Sequence, residues 1–451
     1  MRFSLDAGNT AWLLTSASLV LLMTPALAFF YGGMVRGKSV LNMLMMSFSA
    51  MGVVGLVWSL WGYSLAFGPN VAAGWFGNPF TNFGLTVSDA SSPAASAGVP
   101  ALVFVAFEAT FAVITVALIS GAIADRVKIG TWMAFAAVWV TVVYAPLAHW
   151  VWGGGMFGAD GWVAKHLSMP IDFAGGTVVE INAGAAGLAL ALLVGERHGW
   201  RKDPMRPHNL PFVMLGAGML WFGWFGFNAG SGLAADGTAG RAWVNTFLAA
   251  CVGMLAWLGI ERFRDGHATS LGAASGTVAA LVAITPAAGT VDTYGALAIG
   301  TVAGAVCALA VGLKYRFGFD DSLDVVGVHL VGGLVGTVMI GLFATNGNHD
   351  SYYPAGSQDG LLYGGGFTQL ATQVVIALAA VVWSFGLTYV IGWVFKRTMG
   401  WRIPQQGEIG GIDRHEHGET AYETVTQGSV RTGHSVHIGH SVHIGHREIR
   451  V

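Results

Sequence analysis

The sequence predicts an all-α integral membrane protein of eleven transmembrane helices, and three observations carry the prediction. Of the 451 residues, 54% are hydrophobic and only 10% are charged, whereas about a quarter of a soluble chain is charged. Apolar stretches of roughly 20 residues, the length that crosses a bilayer as a helix, recur along the chain. The loops between them alternate between basic and nearly uncharged. A net charge of −2 gives no reason to expect nucleic acid as a partner. Cys251 and Cys307 lie in apolar runs and read as packing residues, with no disulfide framework.

The first candidate span covers about 11–31. It resembles a signal peptide in carrying "ALA" at 26–28. The apolar run starts only after Asp6 and Asn9, lacks a basic segment beyond Arg2 and is span-length, so it reads as an uncleaved helix. Further spans are expected at about 40–67, 99–122, 129–152, 173–194, 209–232, 242–261, 269–288, 293–313, 325–344 and 366–395. The last is long enough to tilt or to extend beyond the bilayer. Residues 69–98, rich in turn formers, read as a loop. After about 396 the chain turns polar, and 396–451 reads as a tail.

Basic loop residues set the orientation. One set of loops and the tail hold 19 of the 22 Lys and Arg; Arg2, Lys165 and Arg241 are the other 3. The N-terminus is therefore expected outside and the tail in the cytoplasm, which requires an odd number of spans. The tail ends in "HSVHIGHSVHIGH", with histidines from His434 to His446. Metal binding by that run is conceivable; a low-complexity segment is the other reading.

Two segments inside the membrane match. "DFAGGTVVEINAGAAGL" opens on Asp172 and "DSLDVVGVHLVGGLVG" on Asp321. Eight residues on, each has an ionisable group, Glu180 and His329. Four and seven residues later each has glycine: Gly184 and Gly187, Gly333 and Gly336. Those glycines share a helix face with the ionisable residue and let another helix approach. The segments belong to the fifth and tenth spans and enter from opposite sides. This is the trace of an inverted repeat, about 8–195 against about 205–345, within a membrane domain 1–395 that ends in an eleventh helix at about 366–395.

Charge buried at mid-membrane costs at least ~2.5 kcal/mol and marks pairing or a pathway. Glu180 and His329 either tie two helices together or share and pass a proton; an imidazole ordinarily titrates near pH ~6.5. Asp172 and Asp321 read as helix N-caps. Asp172 has a second reading, ordering carbonyls that face a cation. Aromatics gather near span ends: Trp150 and Trp152, then Trp221, Trp224, Phe225 and Phe227 beside Ser231, then Phe107 and Phe111. Interface belts use aromatics this way, and so does a cage that holds a small cation by cation–π attraction. Glu108 is a further intramembrane acid, next to Phe107 and about one turn from Phe111. "NAGSG" lacks the first glycine of a serine-protease loop, and there is no Walker A or metalloprotease motif. If the chain is a transporter, it is therefore a channel or secondary transporter; no enzyme activity, cofactor or metal site is expected.

"TPALAFFYGGMVRGKSVLNMLMMS", "YAPLAHWVWGGG", "DFAGGTVVEINAG", "LWFGWFGFNAGS", "VGVHLVGG" and "GEIGGIDRHEHGETAY" resemble the ammonium transporter family (Amt/Mep, with the Rh proteins as distant relatives) over about residues 8–425. The resemblance implies a homotrimer in the plasma membrane with one pore per subunit, moving ammonium or methylammonium. It implies recruitment at an outer vestibule of Phe111, Trp152 and Ser231, supported by Asp172, and a gate of Phe111 over Phe227. Two hydrogen-bonded histidines are expected below the gate. Position 329 is His, but position 180 is Glu, as in some fungal members. Glu108 stands where the family pattern suggests Gln, and so is a possible modulator. The "GEIGGIDRHEHGETAY" region implies contacts between subunits and, in prokaryotes, a surface for a PII-type signal protein. The expected activity is ammonium uptake with deprotonation at the gate and a proton relay through Glu180 and His329. An ammonium sensor acting through the tail and an electroneutral ammonia channel are the alternatives; no kinase or cyclase sequence is fused here.

Overall fold

The structure, a computed structural model, describes residues 3–347 and 351–422. Met1–Ala421 form one compact unit. Nearly all of the second unit, Tyr422–Val451, lies outside the described residues, and His434 to His446 with it.

Ten helices among the described residues are long and apolar enough to cross a membrane. With one shorter helix they are α1 (Ala7–Met34), α2 (Val40–Phe67), α3 (Ala101–Ile123), α4 (Ile129–Val151), α5 (Gly176–Val194), α6 (Leu210–Gly230), α7 (Gly237–Asp265), α8 (Ser270–Ile284), α9 (Thr293–Phe317), α10 (Val326–Phe343) and α11 (Thr368–Thr398). Short side chains start several of them. Asp6, Asn209, Asp236, Thr269 and Asp292 each accept a first-turn backbone N–H. The loop after α2 holds a small hairpin, β1 (Asn70–Val71) against β2 (Phe76–Gly77).

The eighth span departs from expectation. Its helix has 15 residues and stops at Ile284, although the apolar composition continues to Ala288. The segment nevertheless runs most of the length of α7. At one end Thr269 N–H donates to Glu261 at 2.9 Å. At the other, Asn245 Nδ2 donates to the carbonyls of Ala288 and Val291, both at 2.9 Å. Glu261 and Asn245 are about 24 Å apart along α7 at 1.5 Å per residue. Helix and turns together therefore make the eleventh crossing. α5 likewise starts at Gly176, because the residues before it form its cap, and α11 continues to Thr398, past the expected 395.

α6 lies antiparallel along α1. Asn209 N–H donates to Gly33 O at 3.1 Å at one end, and Trp12 Nε1 donates to Ala229 O at 3.3 Å at the other. α5 and α10 meet the same way, in the register the two matched segments suggested. A Cβ on Gly184 would lie 2.3 Å from Leu330 N, and one on Gly333 would lie 3.0 Å from Ile181 N. Each glycine thus admits the residue that follows the partner's ionisable group. Both helices open in π turns, Gly176–Ile181 and Val326–Leu330, a form concentrated at functional sites.

The end of the bundle that carries Gly33, Asn209 and Arg126 is covered by the chain after α11. We call it the tail face. Trp401, Ile403 and Ile412 are buried there, on either side of α12 (Gln405–Gly410) and in α13 (Ile412–His417). Ser39 makes no side-chain cap for α2. Asp413 supplies it from the tail, accepting from the N–H groups of Leu41 and Asn42 at 3.0 and 2.8 Å.

Candidate functional site

At the end opposite the tail face, α4 ends at Val151 with Trp152 next in the chain, and the stretch before α5 is folded back on Asp172. The Asp172 carboxylate accepts from the N–H groups of Gly175, Gly176 and Thr177 at 2.8, 2.7 and 2.8 Å, and from the Thr177 hydroxyl. Both oxygens are therefore committed to the start of α5. The same residue's carbonyl accepts from Trp152 Nε1 at 3.0 Å and fixes the indole. Asp172 thus caps the start of α5 and, through its own carbonyl, positions Trp152. Gly175 makes the turn possible. Its φ is +113°, and a Cβ would lie 3.3 Å from the Trp152 ring.

Trp152 stands edge-on to Phe111, at 6.2 Å between centroids and 90°. Phe111 stacks on Phe227 at 4.1 Å and 25°. Both phenylalanines are 1% exposed. Ser231 caps the end of α6, and its hydroxyl donates to Phe227 O at 2.8 Å. Its proton is thus engaged, and its lone pairs remain for a donor such as an N–H. Trp150 lies elsewhere, packed on Trp75, Phe157 and Trp383. Phe225 stacks on Trp243, and Trp221 on Phe247. These three are not part of the site.

Below the phenylalanines a narrow cavity is bordered by Met23, Leu27, Trp224, Glu180 and His329 among others. Its volume, about 10 Å³, is what one water-sized molecule takes. Glu180 is 1% and His329 3% exposed, with His329 Nδ1 and Glu180 Oε2 2.7 Å apart. One proton bridges that contact, whichever atom donates it. Glu108 does not border this cavity. It is buried on α3, and its Oε2 has no hydrogen-bond partner.

The family match decides the identity: a model of the Ammonium Transporter Family matches residues 11–422. The chain belongs to the ammonium transporter family. A curated ammonium transporter of Mycobacterium tuberculosis is 55% identical, covering 94% of this chain and 92% of that one. One of Aquifex aeolicus is 46% identical, covering 93% and 94%. The crystal structure of Candida albicans Mep2 matches with a TM-score of 0.80 at 35% identity, over 89% of this chain and 87% of that chain. A structure described as a sensor Amt protein matches with a TM-score of 0.81 at 28% identity, over 91% and 98%. The family is one of transporters rather than enzymes.

In this transporter the sequence-predicted residues fall into two levels. Phe111, Trp152, Asp172, Phe227 and Ser231 gather at the upper level, and Glu180 with His329 at the lower. Sequence reasoning named Trp224 only among the aromatics near span ends and missed that it forms the cavity wall between the two levels. Trp224 borders the cavity, and its Nε1 donates to Thr285 Oγ1 at 2.8 Å. Thr285 is the first residue after α8 stops, so the early end of that helix places the hydroxyl. Pro286, next in sequence, was the available signal.

Proposed function

We propose that the chain takes up ammonium through the plasma membrane by separating it into ammonia and a proton. In this reading Phe111, Trp152 and Ser231 recruit the cation from outside. The Trp152 face attracts positive charge. The Ser231 oxygen accepts an N–H, which potassium cannot offer. Asp172 acts through Trp152 and the start of α5, because its oxygens are already engaged. At the phenylalanine stack ammonium gives up its proton, and neutral ammonia, not an ion, enters the apolar passage. The proton moves through Glu180 and His329, so each turnover carries one positive charge.

The Glu180–His329 contact of 2.7 Å, at a cavity of one-molecule width, is the observation that supports this reading. The orientation rests on the 19-to-3 basic bias, with the N-terminus outside and the tail face in the cytoplasm. A homotrimer and a PII-type partner at the tail face belong to the same proposal. Chemical cross-linking in membranes tests the first, and binding of a purified PII-type protein tests the second.

The decisive experiment is current recording on proteoliposomes given ammonium pulses. The parent protein gives current, and Glu180→Gln and Glu180→His change its size and its pH dependence. Ammonium uptake without current overturns the relay in favour of an electroneutral ammonia channel. The neighbour described as a sensor favours one other reading, signalling on ammonium occupancy. Labelled methylammonium that stays outside the vesicles would support it.

A further inference from the structure

The cavities below the phenylalanine stack adjoin in series, each sharing wall residues with the next. The narrow one is bordered by both Glu180 and His329. A second, of about 150 Å³, is bordered by His329 but not by Glu180. His329 and Val278 are the two residues common to both. The second cavity also reaches Asp324. The same Asp324 borders an open cleft of about 550 Å³ at the tail face, beside Arg201 and Pro204. His329 therefore joins the pore to the inner cavity, and Asp324 joins the inner cavity to the open cleft.

Asp324 is the charged group that borders both the inner cavity and the open cleft without a full set of hydrogen bonds of its own. Its backbone is left-handed, with φ +63°, a conformation that is costly outside glycine and marks functional positions. Its Oδ1 lies 2.7 Å from Lys314 Nζ, and 35% of its side chain is exposed. Lys314 also donates to Asp321 O at 3.0 Å. Asp321 in turn caps the helix that carries His329, through the N–H groups of Val325 and Val326. Glu261 borders the same cavity, but its oxygens accept from Thr269 and Trp257. Arg264 there is paired with Asp265, and Arg197 in the cleft with Asp320. Tyr31, also on the cavity wall, donates to Leu118 O at 3.2 Å. The remaining charged groups of the cleft, Arg201, Lys202 and Asp203, and the phenol of Tyr315 do not border the inner cavity.

We propose that Asp324 is the inner terminus of the relay, where the proton delivered by His329 rejoins ammonia. The proposal rests on the relay reading above. In each turnover an N–H bond of the His329 imidazolium breaks, and an O–H bond forms on Asp324 through water in the shared cavity. That O–H then breaks as the proton becomes the fourth N–H of ammonium. His329 returns to neutral imidazole and Asp324 to a carboxylate beside Lys314, and no electrons change hands.

The test uses the full chain in proteoliposomes, with ammonium chloride pulses and trapped phosphate buffer. Asp324→Asn keeps a residue that tolerates the left-handed backbone, and Asp324→Gly keeps that backbone without any side chain. Both are expected to lower the current at least roughly tenfold, the low end of what a positioned proton acceptor contributes being about a hundredfold. Raising the trapped phosphate is expected to restore much of it, because phosphate accepts the proton in place of the carboxylate. Currents within about twofold of the parent overturn the proposal, and so does a loss that buffer leaves unchanged, which marks a structural role. An unchanged current in Glu180→Gln removes the relay itself, whatever Asp324 does.

Discussion

Two groups of buried charge in this chain are held in opposite ways. At the tail face, Arg197 donates to Asp320 from its backbone and twice from its side chain, at 2.7, 2.9 and 2.8 Å. It also reaches Asp125 at 3.4 Å, and Arg36 donates to the same carboxylate at 3.1 Å. Arg126 adds bonds to Ser322 Oγ and to the carbonyls of Asp320 and Gly195. Burial works against charge on Asp320, but its bonds with Arg197 and the nearby Arg126 outweigh it and hold its carboxyl below the usual carboxylate range. In the pore, Glu180 and His329 share one contact and border open space. The difference teaches what each buried charge does. A charge held by several hydrogen bonds and ion pairs fixes a shape, whereas the one with a single partner beside a cavity is the one that passes a proton in the proposed reading.

The comparison breaks or sharpens on substitution. Glu180→Gln should lower ammonium current by about a hundredfold. It should cost at most ~1 kcal/mol of stability, since Gln keeps a hydrogen bond to His329. Arg197→Ala should invert that pattern, destabilising by about 3–5 kcal/mol through Asp320 left without its paired cation, while Asp125 keeps Arg36. Thermal unfolding in detergent reads the loss. Currents intact in Glu180→Gln alongside an equal fall in unfolding midpoint would erase the distinction.

Smaller effects probe the upper level. Gly175→Ala should cost about 1–3 kcal/mol in backbone strain. It should also displace Trp152 and weaken apparent ammonium affinity in the same current assay. Ser231→Ala should raise the half-saturating ammonium concentration about threefold to tenfold, the value of one hydrogen bond of ~0.5–1.5 kcal/mol, with maximal current little changed. The smallest effect is acid sensitivity. A folded pKa below the unfolded ~3.9 means that Asp320 contributes stability above that pH and loses it as pH falls through the folded value. The unfolding midpoint should drop below about pH 4, and less so in Arg197→Ala.

Much of this was legible in the sequence, because the bilayer imposes a simple code. Apolar length gave the crossings, and a shared offset of eight residues from Asp172 and Asp321 paired Glu180 with His329. What was not legible depends on packing between distant segments. The π turns have no sequence signature, since they arise where α5 and α10 press backbone on backbone at Gly184 and Gly333. The end of α8 was hidden because Ala287 and Ala288 are as apolar as the helix before them. Arg36, Asp125, Arg197 and Asp320 lie in separate loops, each of which reads alone as loop charge. Asp413 looked like tail, yet it caps α2.

The stack of Phe111 on Phe227 has a consequence for the membrane as a whole. Two rings 4.1 Å apart and 1% exposed leave no standing column of water from one side to the other. In the proposed reading the resting passage is therefore an electrical insulator, so a membrane holding many copies keeps its voltage and its potassium. In that reading, charge crosses only when ammonium brings it.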